Sequence, residues 1–286
     1  MTVTSLADAH VRGLAERLSF DNGFPRRLDA GSMHRIRLAD HDTVVAQRGD
    51  TGPAVLLVHA LGLDWRMWQP VMDALADGRR VFAYDVRGHG VAAGSPSPYT
   101  MADTARDLIG VLDAIGVERA HVVGLSFGGG IAQTAAVAAP ERFASLALLA
   151  TTDFPFDAFE GRASAGETDG MAAQVAPSLT RWFTADALAV NGGSVQYARE
   201  RVLGGNPTDW AAAWRAFKGL DVQGKLAGLP TLVLAGQADV STTPEIMRGI
   251  ASRIPGARYR ELPGTPHMQT LERPELVAEA LAEFLT

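Results

Sequence analysis

The residues whose types and spacing suit nucleophilic catalysis are a serine in a glycine frame, a histidine in a turn, and an aspartate after an apolar run. Ser126 lies in Gly124-Leu125-Ser126-Phe127-Gly128, with Gly129 and Gly130 behind it. The apolar run His121 to Leu125 precedes it, and a small-residue segment from Ile131 to Ala139, stopped by Pro140, follows. Strand, Gly-x-Ser-x-Gly, helix is the arrangement of a nucleophile elbow. Its glycines have a steric cause: a serine on so sharp a turn has a strained backbone, and side chains two residues either side would collide. A helix that starts at the serine also places its free N–H groups and positive dipole end where an oxyanion would form.

A serine hydroxyl needs a neighbouring base to become a nucleophile near neutral pH. Of the seven histidines, His267 is favoured. It sits in Pro263-Gly264-Thr265-Pro266-His267, a turn-rich loop after the last apolar run, and such loops at the carboxyl ends of parallel strands carry ligands and catalysts. His59, at the end of the first buried run, reads as a loop-ordering residue. His10, His34, His41 and His121 read as surface or strand-edge positions, and His89 as part of a turn. An acid must fix the tautomer of the base. Asp239, in Gly236-Gln237-Ala238-Asp239, is preferred, with Asp153 as the alternative. The order Ser, Asp, His is the one expected with this elbow. Two backbone N–H donors complete the set: that of Phe127, next after the serine, and that of Leu61 in the loop His59-Ala60-Leu61-Gly62.

These residues need a scaffold whose strands all end on one rim. Ala54–Val58, Val81–Tyr84, His121–Leu125 and Ser145–Ala150 are apolar runs of the kind buried on both faces of a parallel sheet, alternating with helical spacing. Thr100-x-x-Asp103 predicts a capped helix with Ala105, Leu108, Leu112 and Ile115 facing the core and Gly116 at its end. Two short strands between His34 and Arg48 precede this rhythm; Pro230–Ala235 and Arg258–Leu262 resume it, and Pro274 opens a terminal helix. Between about 152 and 225 the spacing is helical and aromatics accumulate, among them Phe154, Phe156, Phe159, Trp182, Phe183, Tyr197, Trp210, Trp214 and Phe217. The expected fold class is α/β: a mostly parallel twisted sheet with helices on both faces and a helical lid inserted before the last two strands. The expected divisions are an N-terminal extension at 1–32, a core at 33–151 and 226–286, and the lid at 152–225. Leu6, Val11, Leu14, Ala15 and Leu18 give the extension a helical pattern. Trp68, Phe154, Trp182 and Trp214 are expected to line the substrate pocket.

Composition narrows the function class. The chain has 286 residues, 47% of them hydrophobic, and a net charge of −6. Without a basic stripe to neutralise phosphates, neither nucleic acid nor an anionic membrane is an expected partner. With no cysteine, disulfides, thiol catalysis and thiolate metal sites are excluded. No histidine pair has metal-ligand spacing on a helix, so neither metal nor cofactor is expected. There is no secretion signal and no run of the roughly 20 apolar residues that cross a bilayer, giving a cytoplasmic, soluble expectation; a homo-oligomer is compatible with it.

Several stretches resemble the α/β-hydrolase superfamily, and within it the 3-oxoadipate enol-lactonase and carboxylesterase branch. They are His59-Ala60-Leu61-Gly62-Leu63-Asp64 with Met67-Trp68, Tyr84-Asp85-Val86-Arg87-Gly88-His89-Gly90, Pro98-Tyr99-Thr100, Glu118-Arg119-Ala120-His121, Pro140-Glu141-Arg142 and Arg181-Trp182-Phe183-Thr184. The resemblance runs from about residue 34 to the C-terminus. It implies a serine hydrolase of a small carboxylic ester or lactone, working through an acyl-enzyme with Ser126 as nucleophile, His267 as base, Asp239 as acid, and Leu61 and Phe127 at the oxyanion positions. An enol-lactone bearing a carboxylate would need a cation near the pocket, for which Arg181, Arg199, Arg201 and Lys218 are candidates. A C–C bond hydrolase of ring-fission products would use the same triad and is the alternative. A small-molecule receptor on this fold is a further one.

Overall fold

The computed structural model describes residues 33–285; the proposed N-terminal extension, with its helical pattern and His10, lies outside the described residues. The apolar runs form one sheet of eight strands: β1 Met33–Arg37, β2 Asp42–Arg48, β3 Ala54–Val58, β4 Arg80–Tyr84, β5 Ala120–Leu125, β6 Phe143–Leu149, β7 Thr231–Gly236 and β8 Arg258–Leu262. Their order is β1-β2-β4-β3-β5-β6-β7-β8. From β4 to β8 every pairing is parallel, and β2 pairs antiparallel with both β1 and β4. Strands β3 and β7 are buried at every position, as expected of strands covered on both faces, whereas the edge strand β1 is mostly exposed.

The connecting helices are α1 Gln69–Leu75, α2 Met101–Ala114 and α3 Phe127–Ala138 in the first half. Thr100 caps α2 through a reciprocal capping box with Asp103, and Gly116 beyond its end has φ 68°, a conformation glycine adopts without steric cost. Between β6 and β7 lie four helices: α4 Ala158–Trp182, α5 Ala185–Val190, α6 Gly193–Leu203 and α7 Pro207–Lys218. Gly170, with φ 74° and ψ 171°, breaks α4 into two segments. Helices α8 Pro244–Arg253, α9 Gln269–Glu272 and α10 Pro274–Phe284 complete the chain. Among the described residues, no helix is long and apolar enough to cross a membrane.

The sheet reverses its winding at β3, which has β4 on one side and β5 on the other. At such a switch point the loops after two adjacent strands diverge and leave a crevice. Here those loops are 59–63, after β3, and the turn at Ser126, after β5. Buried polar residues pin the loop after β3 and its neighbour after β4. The His59 Nε2 accepts from the Val86 N–H at 2.8 Å while its Nδ1 donates to the Ala60 carbonyl at 2.8 Å. The Asp85 carboxylate accepts from the N–H groups of Trp65 and Val91. Arg87 donates two bonds to Asp107 and two to Asp40, tying the loop after β4 to α2 and to the β1–β2 turn. His41, expected at the surface, is buried with its Nδ1 on Asp40.

Two consequences can be measured. A Cβ on Gly128 would stand 2.2 Å from the Val58 carbonyl oxygen, backbone that cannot swing aside. Gly128→Ala should therefore lower stability by about 1–3 kcal/mol, read as a lower urea midpoint at unchanged m. Burial, followed by the charge of His89, pushes His59 from 6.5 down to about 3. As pH falls, the unfolded chain takes up this proton first. The stabilisation is complete above pH 6.5 and lost towards pH 3, at up to about 1.4 kcal/mol per pH unit. In His59→Gln that part of the acid-side slope should disappear from unfolding curves recorded across the same window.

Candidate active site

Ser126 sits between β5 and α3 with φ 55° and ψ −116°, a backbone that L-residues rarely adopt. Surrounding contacts hold it there. Its N–H donates to the Leu149 carbonyl at 2.9 Å, and its carbonyl accepts from the Gly130 N–H at 3.1 Å and the Thr151 hydroxyl at 2.7 Å. The flanking glycines are required by space: a Cβ on Gly124 would lie 2.3 Å from the Gly128 carbonyl oxygen.

His267 lies in the loop between β8 and α9, with Nε2 at 3.1 Å from the Ser126 Oγ. Its Nδ1 is 2.9 Å from an Asp239 oxygen. Asp239 follows β7 and is almost completely buried. One of its oxygens accepts from the backbone N–H groups of Ser241 and Thr242, and the other from the Thr242 hydroxyl and His267. Burial opposes the charge on Asp239, but the attraction of His267 and these hydrogen bonds outweigh it and hold the carboxyl below its usual range. With the carboxylate accepting at Nδ1, the other ring nitrogen is left as the acceptor facing the serine. The alternative acid, Asp153, is engaged elsewhere: both its oxygens take Arg253 N–H groups at 2.8 Å.

The loop geometry brings two more of the expected residues to this place. Leu61 lines the cavity that contains Ser126, and Phe127 is the first residue of α3. The cavity lies between the sheet rim and the helical insert and leaves only about 20 Å³ free, room for one or two water molecules. The Met268 N–H, beside His267, donates to the Trp182 carbonyl at 3.0 Å and so fastens the insert to the histidine loop.

Of the aromatics expected at the pocket, Trp182 and Trp214 line the cavity, and Trp68 and Phe154 do not. Trp68 closes the short turn before α1 and is wholly buried in the core. Phe154 packs edge-on against Phe156, at 5.3 Å between ring centres, and Phe156 is the one that reaches the cavity. Phe159 and Phe217 also line it; their place in the aromatic-rich stretch was the available signal.

The charge of the cavity is supplied by Arg162 and Arg181. Arg162 lies over the Trp214 ring, 4.9 Å from its centre, and Arg181 has a long contact of 3.4 Å to the Ser178 hydroxyl. No carboxylate among the described residues pairs with either guanidinium. Burial first, and the neighbouring Arg162 second, push Arg181 down to about 10, and burial lowers Arg162. The other candidate cations are paired with protein groups: Arg201 with Asp64, Lys218 with Glu160, and Arg199 with the Asn191 side chain. Arg162 is a residue that spacing alone does not single out. Asp40, His41 and Asp107 are close enough together to suggest metal ligands, but both carboxylates there are bonded to Arg87.

Comparison with known proteins gives the same architecture. The α/β hydrolase fold family matches residues 53–274. The 3-oxoadipate enol-lactonase 1 of Acinetobacter baylyi is 32% identical over 240 residues, covering 82% of this chain and 90% of that protein. A protein of Caulobacter segnis carrying the name carbamate hydrolase is 30% identical over 268 residues, covering 90% of this chain and 99% of that one. The crystal structure of an enol-lactonase from Burkholderia xenovorans superimposes with a TM-score of 0.84 at 29% identity, covering 88% of this chain and 99% of that one. With its eight-stranded sheet, its winding reversal at β3 and these relatives, the chain belongs to the α/β hydrolase fold family, on the enol-lactonase branch.

Proposed function

We propose that this hydrolase cleaves a small carboxylic ester or lactone carrying an anionic group, through a covalent acyl-serine. The observation that carries the reading is the unbroken chain of hydrogen bonds from the Ser126 Oγ through His267 to the buried Asp239. In the first step the Ser126 hydroxyl gives its proton to the His267 Nε2 as Oγ bonds to the carbonyl carbon. The negative charge that develops on the carbonyl oxygen is received by the N–H groups of Phe127 and Leu61, donors that are already oriented. Asp239 stabilises the imidazolium without taking its proton. The His267 proton then passes to the leaving oxygen as the carbon–oxygen bond breaks, and the acyl group stays on Ser126. A water then loses a proton to His267 as its oxygen bonds to the acyl carbon; the carbon–Oγ bond breaks, Ser126 Oγ takes the proton back from His267, and the acid leaves.

Arg162 and Arg181 support the anionic part of this proposal. Two half-buried guanidiniums without a carboxylate partner among the described residues are costly in an empty cavity and favourable beside an anion. Because relatives carry the names of lactonases and carbamate hydrolases, the substrates to compare are a carboxylate-bearing lactone, the matching open ester, an uncharged ester and a carbamate.

Steady-state hydrolysis of these compounds tests the assignment. Ser126→Ala should abolish turnover in a folded protein. Asp239→Asn, which permits the wrong imidazole tautomer, should lower kcat by about 10⁴-fold. Asp153→Asn should leave kcat for the same substrate within about threefold, since a change of that size is only about 0.65 kcal/mol in barrier height. An equal loss in the two aspartate variants would count against the acid assigned here. Arg162→Gln and Arg181→Gln should each raise KM for a carboxylate-bearing substrate by about 10–100-fold, the worth of one charge-assisted hydrogen bond. Neither should do so for an uncharged ester; a uniform loss on both substrates would remove the anion-binding role.

A further inference from the structure

The cavity at Ser126 is too small for most acyl groups, and a larger space of about 130 Å³ borders the same loop after β3. This second cavity is lined by Gly62, Leu63, His89, Met171, Arg201 and Trp210, among others. Leu61 belongs to the first cavity and Gly62 to the second, so the loop after β3 has one neighbour on each side. Where that loop ends, two indoles meet it. A Cβ on Gly62 would lie 2.8 Å from the Trp210 ring and 3.3 Å from the Trp182 ring. Trp182 lines the Ser126 cavity and Trp210 the second, and both rings meet the loop at Gly62, so the two indoles stand between the spaces.

Trp210 is fixed as part of that wall. A Cβ on Gly166 of α4 would come 2.4 Å from the Trp210 Cδ1, so the indole is wedged between two glycines, one in the core loop and one in the insert. Its Nε1 donates to the Arg162 carbonyl at 3.0 Å, and its ring meets Trp214 edge-on at 5.8 Å between centres. A buried ring held by two backbone contacts and a hydrogen bond has one rotamer available to it.

We infer that Trp210 sets the length of substrate this hydrolase accepts, by separating the Ser126 cavity from a second cavity able to hold the distal part of a longer acyl chain. The inference rests on Ser126 being the reacting residue. It assigns Trp210 a specificity role and no part in bond making. Shortening its side chain should join the two spaces and allow a chain to extend past Gly62 towards Met171.

The test is a chain-length profile with p-nitrophenyl esters from acetate to octanoate. Wild-type kcat/KM should fall steeply beyond the short esters. In Trp210→Ala the octanoate-to-acetate ratio of kcat/KM should rise by at least about tenfold, the scale on which a few methylenes are discriminated by a pocket. Trp210→Leu, which retains apolar filling, should move the ratio in the same direction and covers the case in which the alanine variant fails to fold. Adding Met171→Trp to either variant refills the far cavity and should return the ratio towards wild type. An unchanged ratio in a folded Trp210 variant overturns the inference, as does a gain that Met171→Trp does not reverse. Failure of the underlying reading looks different: the wild type itself would then turn over none of the esters, acetate included.

Discussion

The serine turn at the end of β5 is the constraint on which the site depends. A residue at φ 55° between a parallel strand and a helix is unfavourable in isolation, and it persists because its backbone is held on both sides by β6 and α3. That geometry requires bare backbone at Gly124 and Gly128, because each would otherwise run into main-chain atoms that cannot move. Once these conditions are met, the helix α3 starts directly at Ser126, with Phe127 as its first residue. The reversal of strand order at β3 then decides which loop lies beside it. Reactivity here is a property of sheet topology as much as of one side chain.

The core and the insert divide the work by electrostatics. Asp239 and His267 come from the rim of the sheet, where the carboxylate is held ionised by two backbone N–H groups, a hydroxyl and the imidazole. The cations come from α4 in the insert, where Arg162 and Arg181 approach the cavity without carboxylate partners among the described residues. The hydrogen bond from Met268 to Trp182 couples the two parts directly beside His267. In the proposed reaction, recognition would fall to one layer and bond making to the other.

Much of this organisation is legible in the sequence because it is local. The elbow is a five-residue pattern in which each glycine has a steric reason, and the buried strands announce themselves as unbroken apolar runs. His267 and Asp239 can be picked out because the loops after parallel strands share one rim. The insert is harder to read. Nine aromatics in a helical stretch look alike along the chain, and which of them faces the cavity depends on how four helices pack, so Phe154 is expected there while Phe156, Phe159 and Phe217 reach it; Trp68, outside the insert, is taken up by the core. Arg162 is invisible for a related reason: a surface arginine and an arginine laid over Trp214 have the same sequence signature. The engagement of Asp153 by Arg253 joins residues one hundred positions apart, and no spacing rule reports it.

The proposed reaction turns on covalent attachment of the acyl group to Ser126. Acid quenching of the enzyme within the first turnover of a slowly deacylating ester, followed by intact-mass measurement and peptide mapping, tests it most directly. A mass increase equal to one acyl group, confined to the peptide containing Ser126 and absent from Ser126→Ala, is the predicted result. Full turnover with no acylated species on that peptide, or with hydrolysis persisting in folded Ser126→Ala, would contradict the account.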